Sequence, residues 1–276
     1  MQENLKARLR AVLARRPNLL ARVQRWLGHP CEFEVLRLLL RPGAVVLDVG
    51  ANIGQFSVPI AHLVAPDGCV HAFEPTPRVF AKLEFNLRHL PRTRFVARRL
   101  AVSEHAGTAA LFVPDERGLE ASLARHHGFS AWSQAEDPAC ESIGVETVSI
   151  DDYLQAAAIP EVALMKIDVE GAELLVLRGA RRLLASPRPP ILIFESWGRW
   201  TRDFGYRPAE LFDFLRDTAR YRIFHFRGHD LSPVPTGNAD EPGVFPRFVN
   251  FLALAEGVHA AEIATLKRAG LIPANV

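Results

Sequence analysis

Four short apolar runs, each closed by a carboxylate, constrain this chain more than any other feature of its sequence. They are AVVLDVG (44–50), GCVHAFEP (68–75), VALMKIDVEG (162–171) and PPILIFES (189–196). An apolar run too short for a buried helix and bounded by turn residues suits a strand covered on both faces. Helical patterns lie between the runs: 55–64, then a segment opened by Pro77 with Val79, Phe80, Leu83, Phe85, Leu87 and Leu90 on its buried side, then AELLVLRGARRLLA and PAELFDFLRD. Strands alternating with helices predict a parallel sheet with helices on both faces and right-handed crossovers. TRFVARRLAVS, YRIFHF and VNFLALA add strands, for seven in all, mostly parallel, with a hairpin at the end.

The flanks of this α/β domain (41–257) are less patterned. Residues 104–150 break the rhythm and read as an insertion over the sheet, with GTAALFVP a strand or hairpin arm. The Pro- and Gly-rich stretch DLSPVPTGNADEPGVFPR (230–247) reads as loop, and the tail 258–276 as ending in a short helix. In residues 1–40, Leu5, Leu9, Val12, Leu13, Leu19, Leu20 and Val23 recur at helical spacing. They predict a helical extension docked on the domain, with a homodimer contact as one use. A membrane-surface helix and a transit peptide are the competing readings.

Composition removes several classes. The net charge of +2, from 33 basic and 31 acidic side chains, argues against a nucleic-acid partner. Cys31, Cys69 and Cys140 form no CxxC, so neither a disulfide framework nor a zinc cluster is expected, and a reducing, cytoplasmic setting fits. No apolar run is long enough to span a membrane.

Ligands of an open parallel sheet bind beyond the carboxyl ends of its strands, where the strand order switches. The predicted strand ends there carry Asp48-Val49-Gly50-Ala51-Asn52-Ile53-Gly54, Glu74-Pro75, Asp168-Val169-Glu170-Gly171 and Glu195-Ser196. A phosphate-rich cofactor calls for basic groups and bare N–H groups, so this ring of carboxylates repels it. The first turn also lacks the GxGxxG of dinucleotide sites, which counts against an NAD-dependent oxidoreductase. Glu74 follows Gly50 by 24 residues, near the spacing at which an acid grips ribose hydroxyls. Gly50 permits a sharp turn close to a ligand, Asn52 tolerates left-handed geometry, and Gly54 allows close helix packing. A nucleoside bearing a sulfonium and no phosphate fits: S-adenosylmethionine. The plainer reading makes the glycines a tight strand-to-helix turn and Glu74 a solvated strand end.

DVGANIGQFS, AFEPTPRVFAKLEFNL, LAVSEHAG, TVSIDDYL and above all LMKIDVEGAELLVLRGA resemble the FkbM-type methyltransferases over roughly residues 30–255. The resemblance implies a Rossmann-like class I methyltransferase fold. It implies S-adenosylmethionine as cofactor, S-adenosylhomocysteine as product, and O-methylation of a small molecule or sugar. Carried onto this chain, it makes Asp48, Gly50, Asn52 and Gly54 the loop around the methionine part and Glu74 the ribose ligand. Leu100, Ala101 and Val102 would flank adenine.

For an alcohol acceptor a general base helps. The candidates are Asp168, Glu170, Glu195 and Glu173, with Asp168 the best placed, as base or as ligand-orienting acceptor. Lys166 pairing with Asp168 inside the strand, and Glu173 at a helix N-terminus, are the structural alternatives. Asp168, Glu170 and Glu195 could hold Mg²⁺ with waters, but nothing fixes three ligands in one shell, so no metal is expected. Trp197 and Trp200 follow a strand end and could stack on an acceptor, with Arg199 nearby for an acidic one; packing around a lid hinge is the alternative. Trp132, Phe204 and a histidine such as His126 or His127 are weaker candidates. The competing functions are a methyltransferase for protein or RNA and a non-catalytic S-adenosylmethionine-binding module.

Overall fold

The computed structural model describes residues 32–114, 121–126, 140–234 and 249–274. Helix α1 (Glu32–Leu39) enters the first strand, β1 (Val45–Val49). Then follow α2 (Ser57–Val64), β2 (Cys69–Phe73), α3 (Pro77–Arg88) and β3 (Phe95–Arg98). Next come three strands off the main sheet: β4 (Ala101–Val102), β5 (Gly107–Val113) and β6 (Glu141–Val148). The alternation resumes with α4 (Ile150–Ala156), β7 (Leu164–Ile167), α5 (Glu173–Arg178), α6 (Arg181–Leu184) and β8 (Ile191–Ser196). The chain closes with α7 (Gly198–Asp203), α8 (Pro208–Ala219), β9 (Tyr221–Arg227), β10 (Asp230–Pro233), β11 (Val249–Ala255) and α9 (Ala260–Arg268).

Among the described residues the main sheet runs β10-β9-β11-β8-β7-β1-β2-β3. The five strands from β8 to β3 are parallel, and β11 runs antiparallel to both β8 and β9. Successive strands step outward from β1 to β3, then return to build β7 and β8 on its other side. The switch point therefore lies between β1 and β7, where a crevice opens beyond the strand ends. Alternation along each strand sends Val46, Val70, Leu164, Ile193 and Leu252 to one face, covered by α1, α2, α3 and α9. Leu47, Met165, Ile167, Leu192 and Phe194 go to the other, covered by α4, α5, α6 and α8. The apolar runs are uninterrupted because both faces are covered.

The seven predicted main strands are present, and the structure adds two features. The stretch expected to be loop begins with β10, which pairs with β9 through a tight turn at Gly228 (φ +58°). Pro233 sits at the end of this edge strand, where a missing N–H removes no ladder bond. The predicted single strand over 93–103 is split. Its main-sheet ladder ends where β2 ends, at Phe73 opposite Arg98, with the Glu74 N–H donating to the Arg98 carbonyl. Having no further partner there, the chain turns at Leu100. Ala101–Val102 then pairs with β6 in a separate sheet of order β4-β6-β5. The insertion of 104–150 thus contributes β5 and β6 to this second sheet, and also holds stretches outside the described residues.

The amphipathic repeat of residues 5–23 lies outside the described residues. Of the predicted extension, α1 belongs to the core: Val35 and Leu36 are fully buried. The tail does form a helix, α9, which packs on α1, and Leu231 N–H donates to the Leu271 carbonyl.

Candidate active site

The turn after β1 is shaped by backbone. Gly50 and Ala51 both donate their N–H groups to the Phe73 carbonyl, 3.0 and 2.8 Å. Gly50 has φ +79°, and a Cβ there would lie 1.8 Å from the Asp168 carbonyl oxygen. Only glycine lets the β1 turn meet the β7 turn this closely. Asn52 is left-handed (φ +50°); its side chain accepts from Ile53 N–H and its own N–H donates to Glu74 Oε2, 3.1 Å. Glu74 Oε1 accepts from Thr76 N–H, 2.8 Å. Two backbone donors thus aim a carboxylate that is only 6% exposed. Burial pushes its pKa up to about 6, against the pull of those hydrogen bonds.

Above this turn a cavity of about 620 Å³, its open mouth included, spans the switch point. Val49, Gly50, Asn52, Phe73, Glu74 and Pro75 line one end, and Leu100, Ala101, Val102 and Leu111 form an apolar wall. Ala121, Ser122 and Leu123 complete it, and Asp168, Val169 and Glu170 line the other end. Among the described residues the lining holds three carboxylates and no Lys, Arg or His. A phosphate finds no cation here, whereas a ribose diol and a positive centre find acceptors. The residues present therefore fit a sulfonium nucleoside.

Two predicted cofactor residues do not line the cavity. Asp48 is wholly buried below the turn, accepting from Ser57 Oγ and standing opposite Lys166 in the β1–β7 register. Its side chain points into the helix layer beneath the turn, toward Ser57 of α2. Gly54 faces Leu83, where an added Cβ would come within 3.1 Å, so it serves the packing of α2 against α3.

The β7–β8 side is built from side-chain charge. Lys166 Nζ lies 2.7 Å from Asp168 Oδ2 and 4.4 Å from the centroid of the Phe56 ring. Burial pulls this ammonium down, yet Asp168, Asp48 and Glu195 together hold it above its ordinary value. Asp168, 32% exposed at the cavity, is pushed up by burial but held below the usual range by the Lys166 ammonium bonded to it. Glu195 moves the other way: burial, then the Asp168 charge, raise it well above the carboxylate range. Glu195, expected as a catalytic candidate, does not line the cavity.

Glu170 sits at φ +55° and Gly171 at φ +102°. The strap that holds this turn is Glu173, buried at the start of α5. Its Oε1 accepts from Val169 and Gly171 N–H groups, and its Oε2 from Tyr206 Oη. Tyr206 Oη also lies 2.7 Å from the Gly171 carbonyl. Burial raises Glu173 to about 7. Its role is to shape the turn, and nothing places it at the cavity. The Glu170 carbonyl in turn receives Ser122 Oγ (2.8 Å) and His126 Nε2 (2.9 Å), while His126 Nδ1 faces Asp203 at 2.6 Å. Both ring nitrogens of His126 are engaged, so this histidine fastens the 121–126 segment and offers no free base.

The aromatic expectation is corrected in part. Trp200 is 4% exposed, stacked under His126 with centroids 5.0 Å apart and set edge-on to Trp197 at 4.8 Å. An added Cβ on Gly171 would lie 3.0 Å from Trp200 Cβ. Trp200 is thus a packing residue, because its faces are already covered. Trp197 is half-buried and Arg199 exposed on α7. Trp132 and His127 lie outside the described residues. No group of three or more His, Cys, Asp or Glu among the described residues is arranged to hold a metal ion. Ser57, Phe56 and Tyr206 escaped sequence reasoning. They act through partners 9, 110 and 33 positions away (Asp48, Lys166 and Glu173), and no local pattern marks them.

Comparison with known proteins agrees with this geometry. Residues 48–225 match the family described as the methyltransferase FkbM domain. The 31-O-demethyl-FK506 methyltransferase FkbM of Streptomyces tacrolimicus is 38% identical over 160 residues, covering 51% of this chain and 60% of its own length. The 2-O-methyltransferase NoeI of Sinorhizobium fredii is 29% identical (56% and 65% covered), and the hexuronic acid methyltransferase AglP of Haloferax volcanii 31% (56% and 59%). The chain thus covers about three fifths of the length of these relatives. The family match spans the β1 turn, Glu74 and the β7 turn together, and the chain belongs to the FkbM family of S-adenosylmethionine-dependent methyltransferases.

Proposed function

We propose that this protein is an O-methyltransferase that moves a methyl group from S-adenosylmethionine to a hydroxyl of a small molecule or sugar. One observation carries the reading: a cavity at the switch point that, among the described residues, is lined by carboxylates without a cation, and that contains a buried Glu74 aimed by two backbone N–H groups. In this reading Glu74 accepts from the ribose hydroxyls, with Pro75 beside it. Gly50 and Asn52 shape the methionine end, and Leu100, Ala101 and Val102 flank adenine. When bound, the cofactor supplies an electrophilic methyl on sulfur. The chain's contribution is alignment, worth several kcal/mol in such displacements, and a proton acceptor, Asp168, at the cavity edge. Glu170 lines the same end, and the reading assigns Trp197 and Arg199, which follow β8, to the acceptor. Relatives named for O-methylation and for a hexuronic acid support a hydroxylated acceptor. The absence of a strong net charge supports a small acceptor over RNA.

A cytoplasmic enzyme and a homodimer through residues 1–40 belong to the same reading. Among the described residues no helix is long and apolar enough to cross a membrane. Calorimetry with S-adenosylmethionine, S-adenosylhomocysteine and NAD tests the cofactor, and isotope transfer from labelled cofactor to a panel of glycosides, uronic acids and polyketide alcohols tests the acceptor. Binding of the first two ligands and label on a hydroxyl are expected. Binding of NAD alone, or label found only on protein or RNA, overturns it.

A further inference from the structure

We infer that Ser122 and His126 are positioning residues: they fasten residues 121–126 as a clasp over the cofactor cavity, and the clasp must release for the nucleoside to enter or leave. The inference rests on the methyltransferase reading above. Ala121, Ser122 and Leu123 line the cavity together with Leu111 and the β7 turn. On one side the segment is rooted by backbone. Ser122 N–H donates to the Phe112 carbonyl at 3.0 Å, and Phe112 N–H to the Ser122 carbonyl at 2.8 Å, an antiparallel bridge to β5. Ala121 and Leu123 pack there against Leu111, Val113 and Val145 of the second sheet. On the other side the links are made by side chains. Ser122 Oγ accepts from Ala124 N–H at 3.4 Å, which leaves its proton for the Glu170 carbonyl at 2.8 Å. His126 Nε2 donates to the same carbonyl at 2.9 Å, since a carbonyl can only accept. Its Nδ1 faces Asp203 Oδ2 of α7 at 2.6 Å, and Trp200 of α7 stacks on the ring.

The two sides differ in how easily they part. The bridge to β5 is backed by the β5–β6 ladder, which runs from Gly107 opposite Thr147 to Val113 opposite Glu141. The fastenings to Glu170 and Asp203 are a few side-chain hydrogen bonds, each a modest gain over bonding to water. Breaking them frees 123–126 while Ser122 stays paired with Phe112, and the cavity opens along the β7 side. The shared carbonyl gives closure a second consequence. Glu170 is a non-glycine residue in the left-handed region, followed by Gly171 at φ +102°, so this backbone is held against its own preference. Two donors on one carbonyl oxygen hold that peptide in place, and Glu170 lines the cavity beside Asp168. Covering the nucleoside and setting the turn that carries the cavity acids are therefore one event, the kind of coupling that loop closure brings to an active site.

The test is stopped-flow binding of S-adenosylhomocysteine to the full chain. The clasp is shut in the free protein, so entry as well as exit waits on its release. In S122A/H126A both rates should rise, dissociation by about tenfold and association by a smaller factor. The two single variants should combine non-additively, because their side chains share one carbonyl. S122T and H126Q, which each keep a donor for that carbonyl, should lie closer to the wild type. Unchanged dissociation in S122A/H126A, or faster dissociation with unchanged association, overturns the clasp and leaves a fixed wall. Hydrogen exchange on the wild type gives a second reading that needs no variant. Amides of 123–126 should exchange faster than those of β5 in the free protein and slow by about tenfold with S-adenosylhomocysteine. No slowing overturns the clasp. Calorimetry on the same samples separates the two ideas. Binding by the wild type without these signatures removes only the clasp, whereas no binding by the wild type removes the methyltransferase reading with it.

Discussion

At the end of β1 the surface offered to a ligand is mostly backbone: a left-handed glycine, a left-handed asparagine, and a carboxylate oriented by two N–H groups. At the end of β7, two strand-widths of side chains share charge instead, from Asp48 through Lys166 to Asp168 and Glu195. The first half suits recognition of a fixed ligand, because backbone donors are pre-set and cost no reorganisation. The second suits proton handling, because coupled titratable groups can change state in place. The two meet where Gly50 touches Asp168.

Breaking that meeting point should have the largest effect. G50A places a methyl group on the Asp168 carbonyl at a positive φ, and neither backbone can retreat. Loss of about 5 kcal/mol or more, seen as failure to fold or a collapsed denaturation midpoint, is expected. A near-wild-type melting curve would mean that the halves are not locked together. Next comes the charge side alone. K166M strands Asp48 and Asp168 without their buried cation and should cost about 3–5 kcal/mol. Adding D48N should restore part of that loss; an additive double mutant would show that the two acids do not share the lysine.

The backbone side is sharpened by a smaller effect, read in binding. E74Q should weaken S-adenosylhomocysteine by roughly 10–100-fold, about 2 kcal/mol, with stability unchanged or improved. Ribose hydroxyls donate to the ionised form, so protonation competes with binding. Wild-type affinity should be flat well above the Glu74 value of about 6 and fall toward tenfold per pH unit below it. E74Q should lose that dependence, and a pH-dependent E74Q would assign the titration elsewhere.

The shallowest effect, read per pH unit, concerns the strap. Glu173 has a folded value of about 7 against an ordinary 4.5, so the folded state holds the proton more tightly. Its contribution is fully present below 4.5 and is lost as pH rises through 7. Urea melts should show about 1 kcal/mol lost per pH unit inside that window, and E173Q should flatten the slope. An unchanged slope would place the titrating group outside the strap.

Legibility followed the same division. VVLDVGANIGQF and the Glu74 spacing could be read directly, because turn geometry and a strand-end acid are local properties. The apolar runs announced strands buried on both faces, and alternation announced a parallel sheet. By contrast Asp48 looked like a ligand residue and is a support for Lys166, since a strand sequence does not say how far a side chain stands from the mouth of a cleft. Trp200 looked like a stacking platform and is covered by His126, a contact made across 74 residues. The split of 93–103 into two sheets depended on where β2 stopped, which lies in another segment.

The sequence by itself determined the alternating α/β fold, the tight turn at Gly50 and the acidic, phosphate-averse character of the strand ends, because these rest on periodicity, chain stereochemistry and charge within a few residues. Only the tertiary structure decided which acid faces the cavity, which is buried beneath it, and which stands against Lys166. Those outcomes depend on strand register and burial, which bring together Asp48, Lys166 and Glu195 from three strands and set their energies by mutual distance.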